Sequence, residues 1–129
     1  AASDVYKRQV NNTVFLTWME TARMAYFEEC GMMDTFESEK IGPILAAIKA
    51  DFLAPVVYPD TVVVHTTISK MGRSSLEMAY KIMSSGNGGE LVETGSATGV
   101  MCDYSTGSST PISENLRARI TDLERARLG

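Results

Sequence analysis

Histidine and cysteine are scarce in this chain. Of its 129 residues, one is histidine and two are cysteine. Cys30 and Cys102 belong to no CxxC pair, and no HxxxH spacing occurs. These absences argue against a zinc centre or a disulfide framework, and both thiols read as buried and free. No apolar run reaches membrane-spanning length, and the first residues, AASDVYKRQVNN, contain no apolar signal-peptide core. A cytoplasmic location is the expectation. Basic excess is lacking too. Twelve Lys and Arg face sixteen Asp and Glu, for a net charge of -4. A mildly acidic chain has no general attraction to nucleic acid or to an anionic membrane. Repeats and low-complexity segments are also missing. What is present is ordinary globular stuff: 44% hydrophobic and 22% charged residues, in a length that suits one core. Residues 1–129 therefore read as a single domain.

The first periodic element runs from about Thr13 to Cys30. Asn12 can cap its start, and Gly31 stops it. On a helical wheel Thr17, Thr21 and Glu28 fall within one narrow arc. Apolar residues, among them Phe15, Leu16, Trp18, Met19, Met24, Tyr26 and Phe27, cover most of the rest. Such a helix is expected to be mostly buried, and wrapped by something rather than laid on a surface.

From Pro43 to Asp103 the pattern changes to period two, the signature of strands. Pro55 and Pro59-Asp60 interrupt it. Val62 to Ser69 alternates, Gly72-Arg73-Ser74 makes a turn, and Leu76 to Met83 alternates again. Residues 84–89 read SSGNGG, a hairpin signal. A last long strand spans about Leu91 to Tyr104, where Gly95 and Gly99 suggest bends or close backbone approach. Residues 113–127 read as a surface helix capped by Ser113, with Leu116, Ile120 and Leu123 as its apolar stripe. The fold class is α+β, a single curved antiparallel sheet around one long helix.

Val10-Asn11-Asn12, then Phe15, then Trp18-Met19-Glu20-Thr21-Ala22-Arg23 resembles the VNN..(Y/F)..W(M/L)E.AR signature of hot-dog-fold acyl-CoA thioesterases, the 4-hydroxybenzoyl-CoA thioesterase-like family in particular. Tyr26-Phe27, Cys30-Gly31, Asp60-Thr61-Val62 and Gly72-Arg73-Ser74-Ser75 match further segments of that family. The resemblance covers roughly residues 10 to 112. It implies a hot-dog fold, hydrolysis of an acyl-CoA to free acid and CoA, and no cofactor beyond the CoA of the substrate. Residues 1–9 are atypical and read as a truncated or artefactual start. The family's D-x-x-G-H before VNN would put its aspartate at Val5, its glycine at Arg8 and its histidine at Gln9. Asp4 is one residue out of register.

Thioester hydrolysis needs a carboxylate to attack or to activate water, donors for the oxyanion, and a grip on CoA. Free amides at a helix N-terminus are such donors. The resemblance puts the oxyanion amide at Asn12, beside Asn11. The alternative is that Asn11-Asn12 is only a cap. Glu20 and Arg23, three residues apart on the side of Leu16 and Phe27, read as an ion pair, or with Glu20 as a catalytic carboxylate. Lys70, Arg73 and Ser74 flank the Met71-Gly72 turn and suit the phosphates of CoA, though ordinary solvated charges would look the same. His65 reads as a strand-surface residue and the eight methionines as core filler.

Two further readings stand beside thioester hydrolysis. A hydratase or dehydratase on the same fold is disfavoured, because no histidine lies near the helix. A non-catalytic acyl-CoA-binding protein is favoured by Val5 at the aspartate position. One meander leaves open sheet edges, so a homodimer or homotetramer is expected.

Overall fold

The computed structural model describes residues 12–54, 56, 61–85 and 89–128. Helix α1 (Asn12–Glu29) leads into α2 (Met32–Glu39). Strands β1 (Ile41–Phe52), β2 (Val62–Met71), β3 (Ser75–Ser84) and β4 (Glu90–Asp103) come next, with the short β5 (Ser108–Ser109) and helix α3 (Glu114–Leu128). Gly31 ends α1 with φ of 81°, the left-handed conformation that glycine adopts without cost. Helix α2 was not anticipated from the sequence. It lasts eight residues and stops at Lys40, whose amide donates to the Phe36 carbonyl at 2.9 Å.

The sheet is antiparallel throughout, in the order β1-β4-β3-β2, with β5 pairing to β4. Ile82, Tyr80, Met78 and Leu76 on β3 stand opposite Glu93, Gly95, Ala97 and Gly99 on β4. Leu76, Met78, Tyr80, Ile82 and Ala97 build the core with Phe15, Met19, Tyr26 and Phe27 of α1. The helix sits very close to the strands. A Cβ at Gly95 would lie 2.7 Å from the Met19 Cε and 2.8 Å from the Lys49 carbonyl oxygen. Four helical residues advance about 6 Å and two strand residues about 6.6 Å, so helix and strand stay in step. Phe15 accordingly sits one turn before Met19, and its ring packs edge-on against Phe52, the β1 partner of Glu93.

The burial expected all around α1 is corrected. One face is buried, whereas Val14, Leu16 and Met24 are exposed. The sheet of one chain can cover only one side of a helix. The edge strand β1 has the same character, with Ile44, Leu45, Ile48 and Phe52 exposed.

Helix α3 closes the other edge. Ser113 accepts the Leu116 amide at 3.1 Å, and Leu116 and Ile120 are buried. Glu124 accepts the Tyr26 hydroxyl at 3.0 Å and the Ile68 amide at 2.8 Å, which ties α3 to α1 and to β2 at once. Cys30 and Cys102 are buried and free, and burial raises the pKa of the Cys30 thiol, so it stays protonated and inert.

Glu93 is the exceptional core residue. It is fully buried on β4, and neither carboxylate oxygen has a hydrogen-bond partner among the described residues. Desolvation penalises the charged form and pushes the carboxyl from its ordinary 4.5 up to about 7.

This packing has two measurable consequences. Gly95→Ala should destabilise the fold by about 1–3 kcal/mol, since the Lys49 backbone cannot move aside cheaply. Urea unfolding should show a lower midpoint at an unchanged slope. The second consequence concerns pH. Between about 4.5 and about 7 the folded chain holds a proton on Glu93 that the unfolded chain has released. Stability must therefore fall as pH rises through that interval and level off above it. Glu93→Gln should flatten this dependence and melt higher than the parent at pH 8. A parent melting temperature insensitive to pH from 4.5 to 8 would contradict the assignment.

Candidate active site

The N-terminus of α1 offers backbone amides that no preceding helical turn can satisfy. Its first turn contains no acidic residue, so the positive end of the helix dipole is not offset from within the helix. Asn12 is the first helical residue among those described. Asn11, Val5 and the other residues before it lie outside the described residues.

Glu20 and Arg23 do not form the expected pair. Glu20 is exposed, whereas Arg23 is half-buried and donates from Nη1 to the Tyr80 hydroxyl at 3.1 Å. An i,i+3 spacing permits contact, but Glu20 faces solvent while Arg23 is half-buried, so the arginine takes its partner from the sheet instead. For Arg23 that partner stands on β3, 57 residues away. Burial raises the Tyr80 pKa, and the arginine works against the rise.

Lys70 and Arg73 are exposed and Ser74 is half-buried. Their turn is held on four sides. Gly72 N donates to Ser75 O at 2.9 Å, Met101 N to Ser74 O at 2.7 Å and Ile112 N to Arg73 O at 2.8 Å. Arg117 of α3 donates from Nη2 to Gly72 O at 2.9 Å. Arg117 thus brings a third cation to the turn. Sequence reading could not find it, because α3 reaches the turn only through the fold. A groove of about 240 Å³ runs alongside, lined by Lys70, Met71, Thr121 and Arg125. His65 is exposed on its strand, as expected.

The basic turn and the α1 N-terminus are not neighbours within one chain. Glu93, beside Phe52 at the α1 start, lies at one end of β4, and Val100, opposite Ser75 at the turn, lies towards the other. Seven residues of strand separate them by roughly 23 Å.

Another pocket of about 240 Å³ opens between α1, α2 and the sheet. Phe27, Met32, Leu76 and Met78 form its buried floor, and Met24, Phe36, Leu45 and Tyr104 its exposed rim. Arg23 is the one charged residue in its wall among the described residues. This pocket was missed because it needs α2, whose Met32, Met33 and Phe36 lie on one helical face. Among the described residues no cluster of His, Cys, Asp and Glu could hold a metal, and no helix is long and apolar enough to cross a membrane.

Comparison with known proteins gives this geometry a family. A thioesterase of Thermus thermophilus, solved with coenzyme A and zinc, is 32% identical over 91% of this chain and 82% of its own, with a TM-score of 0.78. A DHNA-CoA thioesterase of Staphylococcus aureus, 20% identical, covers 95% of this chain and 83% of its own with a TM-score of 0.79. A further Staphylococcus aureus protein, solved in complex with CoA, is 11% identical, with 89% and 72% covered and a TM-score of 0.78. The last two likenesses concern the fold alone, which is the hot-dog fold expected. A search of curated proteins finds no match. The family model described as thioesterase-like superfamily matches residues 4–120, nearly the whole chain, and the protein belongs to that superfamily.

Proposed function

We propose that this protein is an acyl-CoA thioesterase, cleaving its substrate with water to a free acid and CoA. The observation that carries the reading is the thioesterase-like match over residues 4–120, supported by 32% identity to a thioesterase solved with coenzyme A. The chemistry assigns roles in order. Attack on the thioester carbonyl puts negative charge on its oxygen. Backbone amides at the start of α1, around Asn11 and Asn12, are the donors we assign to it, in keeping with the absence of an acidic residue from the first turn of the helix. The C–S bond then breaks and the sulfur leaves as CoA thiolate, which takes a proton. Lys70, Arg73 and Ser74, with Arg117 behind them, suit the phosphates of CoA.

The separation of those two features within one chain supports a site made by two copies. β1 is an open edge strand with exposed apolar side chains. Antiparallel pairing of β1 with β1 of a second copy reverses the ends of the sheet. It carries the partner's basic turn towards the α1 start of the first chain. A homodimer, or a homotetramer of two such dimers, in the cytoplasm is the assembly we propose.

The carboxylate is the weak point of the chain as a catalyst. Val5 occupies the position the resemblance gives to the aspartate, and valine can neither attack a thioester nor accept a proton. Glu20 is exposed and forms no ion pair among the described residues, which leaves it free to serve as a carboxylate but gives it no ordered partner. Acyl-CoA binding should therefore exceed turnover.

Two measurements test this reading. Replacing residues 1–9 with a family-like segment ending in D-x-x-G-H should raise thioester cleavage by about 10²–10⁴, monitored as thiol release over a panel of acyl-CoAs. Equal, brisk rates before and after would show that no such aspartate is needed. Changing Lys70 and Arg73 together to Ala should weaken CoA binding by about 1–3 kcal/mol and leave the melting temperature nearly unchanged. Unchanged affinity in calorimetric titration would remove these residues from the site.

A further inference from the structure

The pocket beside α2 combines an apolar body with one cation. Arg23 lines the pocket together with the cross-strand pair Met78 and Ala97 and with Pro43 and Tyr104. Its guanidinium has five N–H donors in a rigid planar fork. One of the two Nη groups reaches Tyr80, and among the described residues no carboxylate pairs with the guanidinium. A half-buried cation facing an apolar cavity without an anion is a charge awaiting its complement. Two oxygens in one plane match the fork, which is the geometry of a carboxylate.

The volume limits the length of chain that the carboxylate can carry. A cavity of about 150 Å³ accommodates benzene, so the same scaling gives roughly nine carbon atoms here. The buried floor of Phe27, Met32, Leu76 and Met78 offers this body no polar partner and two flexible thioethers that adapt to an unbranched chain. Within one chain the exposed rim leaves the pocket open for entry.

We propose that this pocket binds a free medium-chain carboxylic acid in its ionised form, with the carboxylate on Arg23 and the hydrocarbon chain along the methionine-lined floor. Arg23 lies eleven residues beyond Asn12, roughly 16 Å along the helix, so an acid held here does not occupy the helix-start amides of its own chain. The binding itself does not depend on the thioesterase reading. Where that reading holds and the acyl group is of medium length, the released acid is itself a ligand of this pocket, and its occupancy gives the reaction a product-sensing site.

Calorimetric titration of the intact protein with sodium octanoate tests the proposal. Controls are 1-octanol, which keeps the chain and lacks the charge, and acetate, which keeps the charge and lacks the chain. Octanoate should bind, and both controls should bind at least about tenfold more weakly, with Arg23→Met costing octanoate a similar factor. Absent octanoate binding, equal affinity for octanol, or an unaltered Arg23→Met variant would each overturn it. Should Arg23→Met fail to fold by circular dichroism, Gly99→Val decides. A Cβ at Gly99 meets Pro43 Cβ at 3.6 Å and the Ile44 carbonyl at 3.8 Å, ordinary contacts, so the fold should survive while the new branches fill the pocket. Octanoate affinity should then be lost, and undiminished affinity in Gly99→Val would refute the site. Thioester turnover is not read in these titrations, so failure of the catalytic reading and failure of this one remain distinct.

Discussion

Close contact between α1 and the sheet at Gly95 sets the rest of the structure. The Met19 side chain and the Lys49 carbonyl occupy the space that any side chain at Gly95 would need. With that contact made, helix and β4 advance in step. Phe15 falls beside Phe52, and Arg23 falls within reach of Tyr80. The free amide end of α1 comes to one end of the sheet, and the pocket opens under its C-terminal half against α2. A helix seated farther out would keep its periodicity and lose these relations.

Much of this was legible in the sequence. The apolar residues of α1 and the stop at Gly31 marked the long helix, and period-two alternation marked the strands. Gly95 announced close approach, and Ser113 announced the start of α3. These signals are local, since periodicity and caps depend on a few neighbouring residues. The failures were of the opposite kind. The wheel of α1 could not say that one sheet covers one face, leaving Val14, Leu16 and Met24 outside. Spacing suggested Glu20 for Arg23, but the fold supplied Tyr80 from another element. The short, mostly polar run of α2 had too few apolar residues to declare a helix. Arg117 reaches its turn, and Glu124 its two partners, only across the tertiary structure.

Glu93 shows a different cost. A carboxyl buried without partners opposes folding when charged, and this one lies at the level of the first turn of α1, near where the proposed chemistry occurs. Below a pH of about 7 its neutral form removes the penalty and adds no negative charge beneath the amides proposed to stabilise the oxyanion. In that range the positive end of α1 is left unopposed from below as well as from within its own first turn.

The same geometry that seats α1 holds the basic turn away from it. A substrate with phosphates at one end and a reacting carbonyl at the other must bridge both features, and within one chain roughly 23 Å of strand divides them. The exposed apolar residues of β1 supply the means of bringing a second turn close. The account therefore stands or falls on assembly. Light scattering at micromolar concentration should give at least twice the 14.1 kDa of one chain. A 14.1 kDa monomer that binds CoA at full affinity would contradict it.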